Sequence, residues 1–171
     1  MINAVTICMK KYLTFSGRAT RSEFWYFFLF LALGHLALIV VNSILFGPEV
    51  RTFYRLNADG QPAGEPLTEY RYNGGVVGNA FFLATFLPWL AAGWRRMQDS
   101  GRPGYLPWLA VLVTIVTIIG LTIGLRSEGP GVFVLILVSF IGTLILNVYW
   151  LTRPTEPGSN RYGPNPHEVT P

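Results

Sequence analysis

Three short stretches hold most of the side chains able to bind or exchange charge: FSGRATRSEFW (15–25), RRMQDSGRPG (95–104) and EPGSNRYGPNP (156–166). They carry the cations Arg18, Arg21, Arg95, Arg96, Arg102 and Arg161, and the anions Glu23, Asp99 and Glu156. Asn160 adds an amide beside Arg161. A planar guanidinium matches a carboxylate or a phosphate through two parallel hydrogen bonds. Two uses follow. The arginines pair with the carboxylates and lock chain segments together, or their surplus charge captures a phosphate from an anionic lipid headgroup or a partner protein. The residue types favour a mixture. Arg18 or Arg21 pairs with Asp99, while Arg95, Arg96 and Arg102 face an anion.

Catalytic chemistry is less well supplied. His35 and His167 are the two histidines, and neither has a Cys, Ser or second His at a triad or metal-ligand spacing. Cys8 is the single cysteine, which excludes an internal disulfide and a thiolate cluster within one chain. Glu23 and Asp99 are an acid/base pair with nothing to hold a substrate between them. No enzyme, metal or cofactor is expected. A separate polar set, His35, Asn42, Asn79 and Asn147, lies inside apolar runs. An ionisable group in such a run is the usual pointer to transport. A hydrogen bond of His35 with Asn42, one heptad on, across packed helices is the simpler reading. A small transporter or channel subunit using His35 and these Asn residues is the alternative function.

The elements that must position these residues are read from hydropathy. Of 171 residues, 51% are hydrophobic and 13% charged, against roughly 25% charged in a soluble domain. Four runs (24–46, 76–94, 105–125 and 132–152) carry no group charged at neutral pH apart from one histidine. Each has about the 20 apolar residues a spanning helix needs. The first run exceeds a signal-peptide core and ends in Leu45-Phe46-Gly47-Pro48, so it reads as a retained span. The fold class is an all-α integral membrane protein with four transmembrane helices, a short N-terminal interfacial helix and a small extracytoplasmic β-hairpin in the first loop.

The organisation is one membrane domain. Residues 1–23 form a cytoplasmic interfacial segment, with Ile2, Val5, Met9 and Tyr12 along one helical face. Thr20 or Ser22 caps the first span, and Glu23 lies in its first turn. Loop 47–75 holds RTFYRLN and LTEYRYN around a Gly/Pro turn region, a hairpin signal. Pro88 kinks the second span. Residues 95–104 form a cytoplasmic motif loop, 126–131 a short outer loop, and 153–171 a mostly irregular cytoplasmic tail. Gly120, Gly124 and Gly142 offer close-packing surfaces.

Orientation follows from the basic residues. Lys10, Lys11, Arg18, Arg21, Arg95, Arg96, Arg102, Arg153 and Arg161 fall on one side, and Arg51, Arg55, Arg71 and Arg126 on the other. The positive-inside rule places both termini and the motif loop in the cytoplasm. The pI of about 9.5 is thereby explained without nucleic acid. The partners implied are the bilayer, anionic phospholipid, and a membrane-protein partner or a second copy.

The three stretches resemble the motifs of the domain of unknown function 805 family of small bacterial inner-membrane proteins. Phe15, Gly17, Arg18, Arg21, Phe24 and Trp25 match its opening motif. Arg95, Arg96, Asp99, Gly101 and Gly104 match its loop, and Gly158, Asn160, Tyr162, Gly163 and Pro166 its tail. Gln98 stands where the family commonly has His, and Tyr105 where it commonly has Trp. The resemblance implies a multi-pass bacterial inner-membrane protein with four spans and brings no reaction with it.

Overall fold

The structure is a computed structural model that describes residues 1–124 and 130–168. In chain order it contains α1 (Ile2–Lys10), α2 (Arg21–Phe46), β1 (Glu49–Phe53), β2 (Leu67–Arg71), α3 (Gly75–Asp99), α4 (Leu106–Gly124) and α5 (Pro130–Thr152). The short outer loop lies mostly outside the described residues, Arg126 with it.

The long helices leave most of their apolar surface uncovered. Along α2 only Phe24 and Phe27 are buried, while Leu29, Leu33, Leu36, Val40 and Ile44 stand exposed. Such surface is unfavourable in water and natural in lipid, where the helix satisfies its own backbone. Helices α2, α3 and the Phe133–Thr152 part of α5 are long and apolar enough to cross a membrane. The apolar stretch Leu106–Gly120 of α4 is shorter. The described residues are thus mostly helical, with three candidate spans, a shorter fourth apolar helix and a two-stranded sheet.

Two compact units are distinguishable, one comprising Met1–Phe28 with Leu87–Pro171 and the other Leu29–Phe86. In the second unit β1 and β2 pair antiparallel, with Glu49 opposite Arg71, Arg51 opposite Glu69 and Phe53 opposite Leu67. The register sets opposite charges across from each other, which favours it over a one-residue slip. Every residue of both strands is exposed. The Glu49 carboxyl is held below its ordinary value, chiefly by hydrogen bonding from Arg51 and by that residue's charge.

In the first unit α4 and α5 pack together, and the Thr114 and Thr143 hydroxyls bond across them. Gly120 and Gly142 face open space, so neither mediates close packing within the chain. The close approaches are elsewhere. A Cβ on Gly93 would meet Trp108 at 2.9 Å.

One boundary differs from the sequence reading. Helix α3 runs through Pro88 and on to Asp99, so Arg95, Arg96 and Asp99 lie on its last turns and not in a loop. The segment Arg95–Asp99 lacks any helix breaker, and the chain leaves the helix only at Gly101, whose φ is +74°. Among the described residues, the tail beyond α5 (153–168) lacks helix yet is folded back on the molecule, as its hydrogen bonds show below.

Candidate functional site

The site is built where the end of α3, the segment before α2 and the tail after α5 meet. On α3, Asp99 follows Arg96 by three residues, and Arg96 Nη1 donates to Asp99 Oδ2 at 2.7 Å. Before α2, Gly17 adopts φ +97°, and the Ala19 N–H donates to the Arg95 carbonyl at 3.2 Å. That contact sets Arg18 beside Asp99. Arg18 Nε donates to Asp99 Oδ1 at 2.9 Å, both side chains essentially without exposure. From the tail, the Thr155 hydroxyl donates to Asp99 Oδ2 at 2.7 Å. Asp99 thus collects side-chain donors from three separate segments.

The arginines extend the network through backbone carbonyls. Arg18 Nη1 donates to the Gly158 carbonyl at 2.6 Å, and Arg18 Nη2 to that of Glu156. Arg96 Nε donates to the Leu151 carbonyl at 2.9 Å, and Arg96 Nη2 to that of Arg153. The Glu156 N–H returns a bond to the Asp99 carbonyl at 2.9 Å. Asn160 Nδ2 reaches the Gln98 carbonyl at 3.0 Å and Glu156 Oε2 at 2.8 Å. The tail is a strap fastened to α3 by backbone and amide groups.

A second, adjacent cluster joins α1 to α2 and α3. The Thr20 hydroxyl caps α2 by accepting from the Glu23 N–H at 3.1 Å. The Glu23 carboxylate accepts from Arg95 Nη1 at 2.7 Å and from the Cys8 thiol at 3.8 Å. Cys8 is fully buried. Its thiol is pushed up to about 12, first by burial and then by the negative charge of Glu23, with Arg95 opposing. Cys8 is therefore a protonated donor, held away from thiolate chemistry.

Arg18, Glu23, Arg95, Arg96, Asp99 and Asn160 come together, as their motif positions suggest. Arg96 does not face a free anion, because all three of its nitrogens are engaged within the chain. Arg95 is also wholly buried, yet its Nε and Nη2 meet no acceptor among the described residues. Arg102 is half-buried, with Nη1 likewise unmet. Arg21 and Arg161 are exposed, and Arg161 lies 4.7 Å over the ring of Tyr162. Glu156 contributes its backbone and an acceptor for Asn160, with no ion pair among the described residues. Thr155 and the tail carbonyls were not legible, since a carbonyl acceptor looks the same at every residue; Cys8 had only its apolar helical neighbours as a signal.

The polar residues of the apolar runs each find separate surroundings. His35 packs edge-on to Phe81, with ring centres 5.1 Å apart. Asn42 Nδ2 donates to the Asn73 carbonyl at 3.0 Å, not to His35. Asn79 is exposed. Asn147 belongs to the other unit and bonds back to the Thr143 carbonyl at 2.9 Å.

Residues 12–164 match the family described as "Protein of unknown function (DUF805)". The inner membrane protein YhaI of Escherichia coli (strain K12) is 32% identical over 158 residues, covering 92% of this chain and 90% of that protein. The inner membrane protein YhaH of the same strain is 28% identical over 158 residues, covering 92% and 91%. No solved structure matches. The arginine–carboxylate network from Arg18 to Asn160 lies within the matched residues; YhaI and YhaH are both inner membrane proteins, and the chain belongs to this family.

Proposed function

We propose that this is a non-catalytic binding and scaffold module of the inner membrane. Four spans, both termini and the motif end in the cytoplasm, and the β-hairpin outside the cell complete the reading. The buried arginine–carboxylate network is its fixed platform, and the exposed cations around it meet anionic lipid or a partner protein. The observation that carries this reading is Asp99. It has no exposure, and it accepts from Arg18, Arg96 and Thr155, each on a different segment. Buried charge satisfied to this degree suits a strut better than a reacting group, because every lone pair used internally is denied to a substrate.

The test is Asp99→Asn. Removing one member of a buried ionic network costs about 3–5 kcal/mol, because the partner charges stay buried and unmatched. The folded yield in detergent falls sharply and the melting temperature drops. Unchanged yield and melting temperature rule the platform out. Membrane-impermeant labelling of single cysteines introduced in a Cys8→Ser background checks the topology. A cysteine at Ser159 is labelled from the cytoplasmic side, and one at Asp59 from the outside.

A further inference from the structure

A cleft of about 520 Å³ opens in the first unit, between the start of α2 and helices α4 and α5. Trp25, Trp108, Thr143, Leu144, Val148 and Leu151 are among the residues that line it. Its lining is nearly all carbon. The two threonine hydroxyls at its wall are spent on each other, and the Asn147 amide is turned to the Thr143 carbonyl. A space of this size is within the range that small ligands occupy, and its apolar lining suits a hydrocarbon chain.

Among the described residues, the charge near the cleft gathers at one end. Arg21 stands one helical turn before Trp25, and Arg153 two residues beyond Leu151; both are exposed. The Arg153 guanidinium lies 5.0 Å over the ring of Tyr149. Arg96 holds the Leu151 and Arg153 carbonyls, which fixes this end of α5 against the buried network. Arg21 is also near enough to Arg96 for their charges to interact. Neither Arg21 nor Arg153 has a carboxylate partner among the described residues. An apolar cleft with two uncompensated cations at one end complements a molecule with an apolar chain and an anionic head.

We propose that this cleft seats one anionic phospholipid of the bilayer, with an acyl chain between α2, α4 and α5 and its phosphate between Arg21 and Arg153. The proposal deepens the binding reading above and rests on it: it names the lipid class and the place. The buried network then acts as the jig that holds the two cations at the cleft's end. Arg95 and Arg96 position that end and do not touch the lipid.

The experiment is native mass spectrometry of the full chain, delipidated in detergent and titrated with phosphatidylglycerol or with phosphatidylcholine. One phosphatidylglycerol per chain is expected to survive activation that strips the others, while phosphatidylcholine does not persist. Arg21→Gln and Arg153→Gln, both at exposed positions, weaken retention roughly fivefold for each cation removed. Leu144→Trp fills the cleft and abolishes the retained adduct. Equal retention of the two lipids overturns the proposal. So does an adduct that survives Leu144→Trp, or a second copy of the chain found occupying the cleft. If Leu144→Trp fails to fold, the arginine variants decide alone: retention unchanged in both overturns it. An anionic preference spread over many adducts, with none singled out, sinks the cleft but spares the broader reading. No anionic preference at any stoichiometry sinks the cleft and the lipid side of the broader reading, and leaves a partner protein as the occupant of the exposed cations.

Discussion

Glu23 accepts from the Arg95 guanidinium and from the Cys8 thiol, and this small cluster makes a prediction at the residue scale. Cys8 is buried, and its thiol is pushed up to about 12 from an ordinary 9.0. Maleimide at neutral pH is therefore expected to label the folded protein far more slowly than the protein unfolded in denaturant. The linkage has a definite sign. A raised folded-state value means that folding favours the protonated thiol. That contribution is fully present below 9.0 and fades as the pH rises from there towards 12. Melting curves of the native chain and of Cys8→Ala should diverge below that window and converge within it. Rapid labelling of folded protein at neutral pH contradicts the burial that underlies the shift.

At the scale of elements, the end of α3 depends on how tightly the chain turns. Gly101 has φ +74°, and a Cβ there would stand 2.5 Å from Glu156 Oε2. Gly17 has φ +97°, but a Cβ there would meet nothing within 4 Å. Both Gly→Ala changes carry the left-handed penalty of about 1–2 kcal/mol. Gly101→Ala carries in addition the displacement of Glu156 from Asn160. Its melting temperature should fall clearly below that of Gly17→Ala. Equal shifts would mean that the strap yields without cost. The hairpin is governed by a different balance, because its strands are exposed on both faces and its Arg51–Glu49 ion pair sits in water. Such pairs are weak, so Arg51→Gln should leave the folded yield nearly untouched.

For the whole molecule, the tail is the segment whose removal matters most. Residues 155–163 provide Thr155, Asn160 and the Glu156, Gly158 and Gly163 carbonyls to the buried arginine network. A chain ending at Pro154 leaves Arg18 and Asp99 short of partners and open to water. Size-exclusion of a fluorescent fusion should show loss of the monodisperse peak. Shortening the hairpin turn across 58–60 should preserve it. A tail-less chain that remains monodisperse and melts normally would show that Arg18–Asp99 and Arg96–Asp99 suffice alone.

Much of the architecture is local and so was written along the chain. Runs of apolar residues specify helices for a lipid environment whatever surrounds them. The hairpin is marked by β-favouring residues around a turn, although its ion pair, Arg51 with Glu49, runs along β1 and not across the strands. A cap at Thr20 or Ser22 and the content of the three arginine-bearing stretches were equally legible; the structure selects Thr20. Their convergence followed from counting basic residues and from the motif resemblance. The partners within the cluster were not legible. Six arginines and three carboxylates allow many pairings of nearly equal Coulomb energy, and only the packed backbone decides among them. Arg96 turns inward because α3 runs on to Asp99 and aims it at the carbonyls that end α5. Glu156 contributes mainly main-chain atoms, which no side-chain pattern announces. The cleft, too, exists only where α2, α4 and α5 leave space between them, since a void has no residue of its own in the sequence.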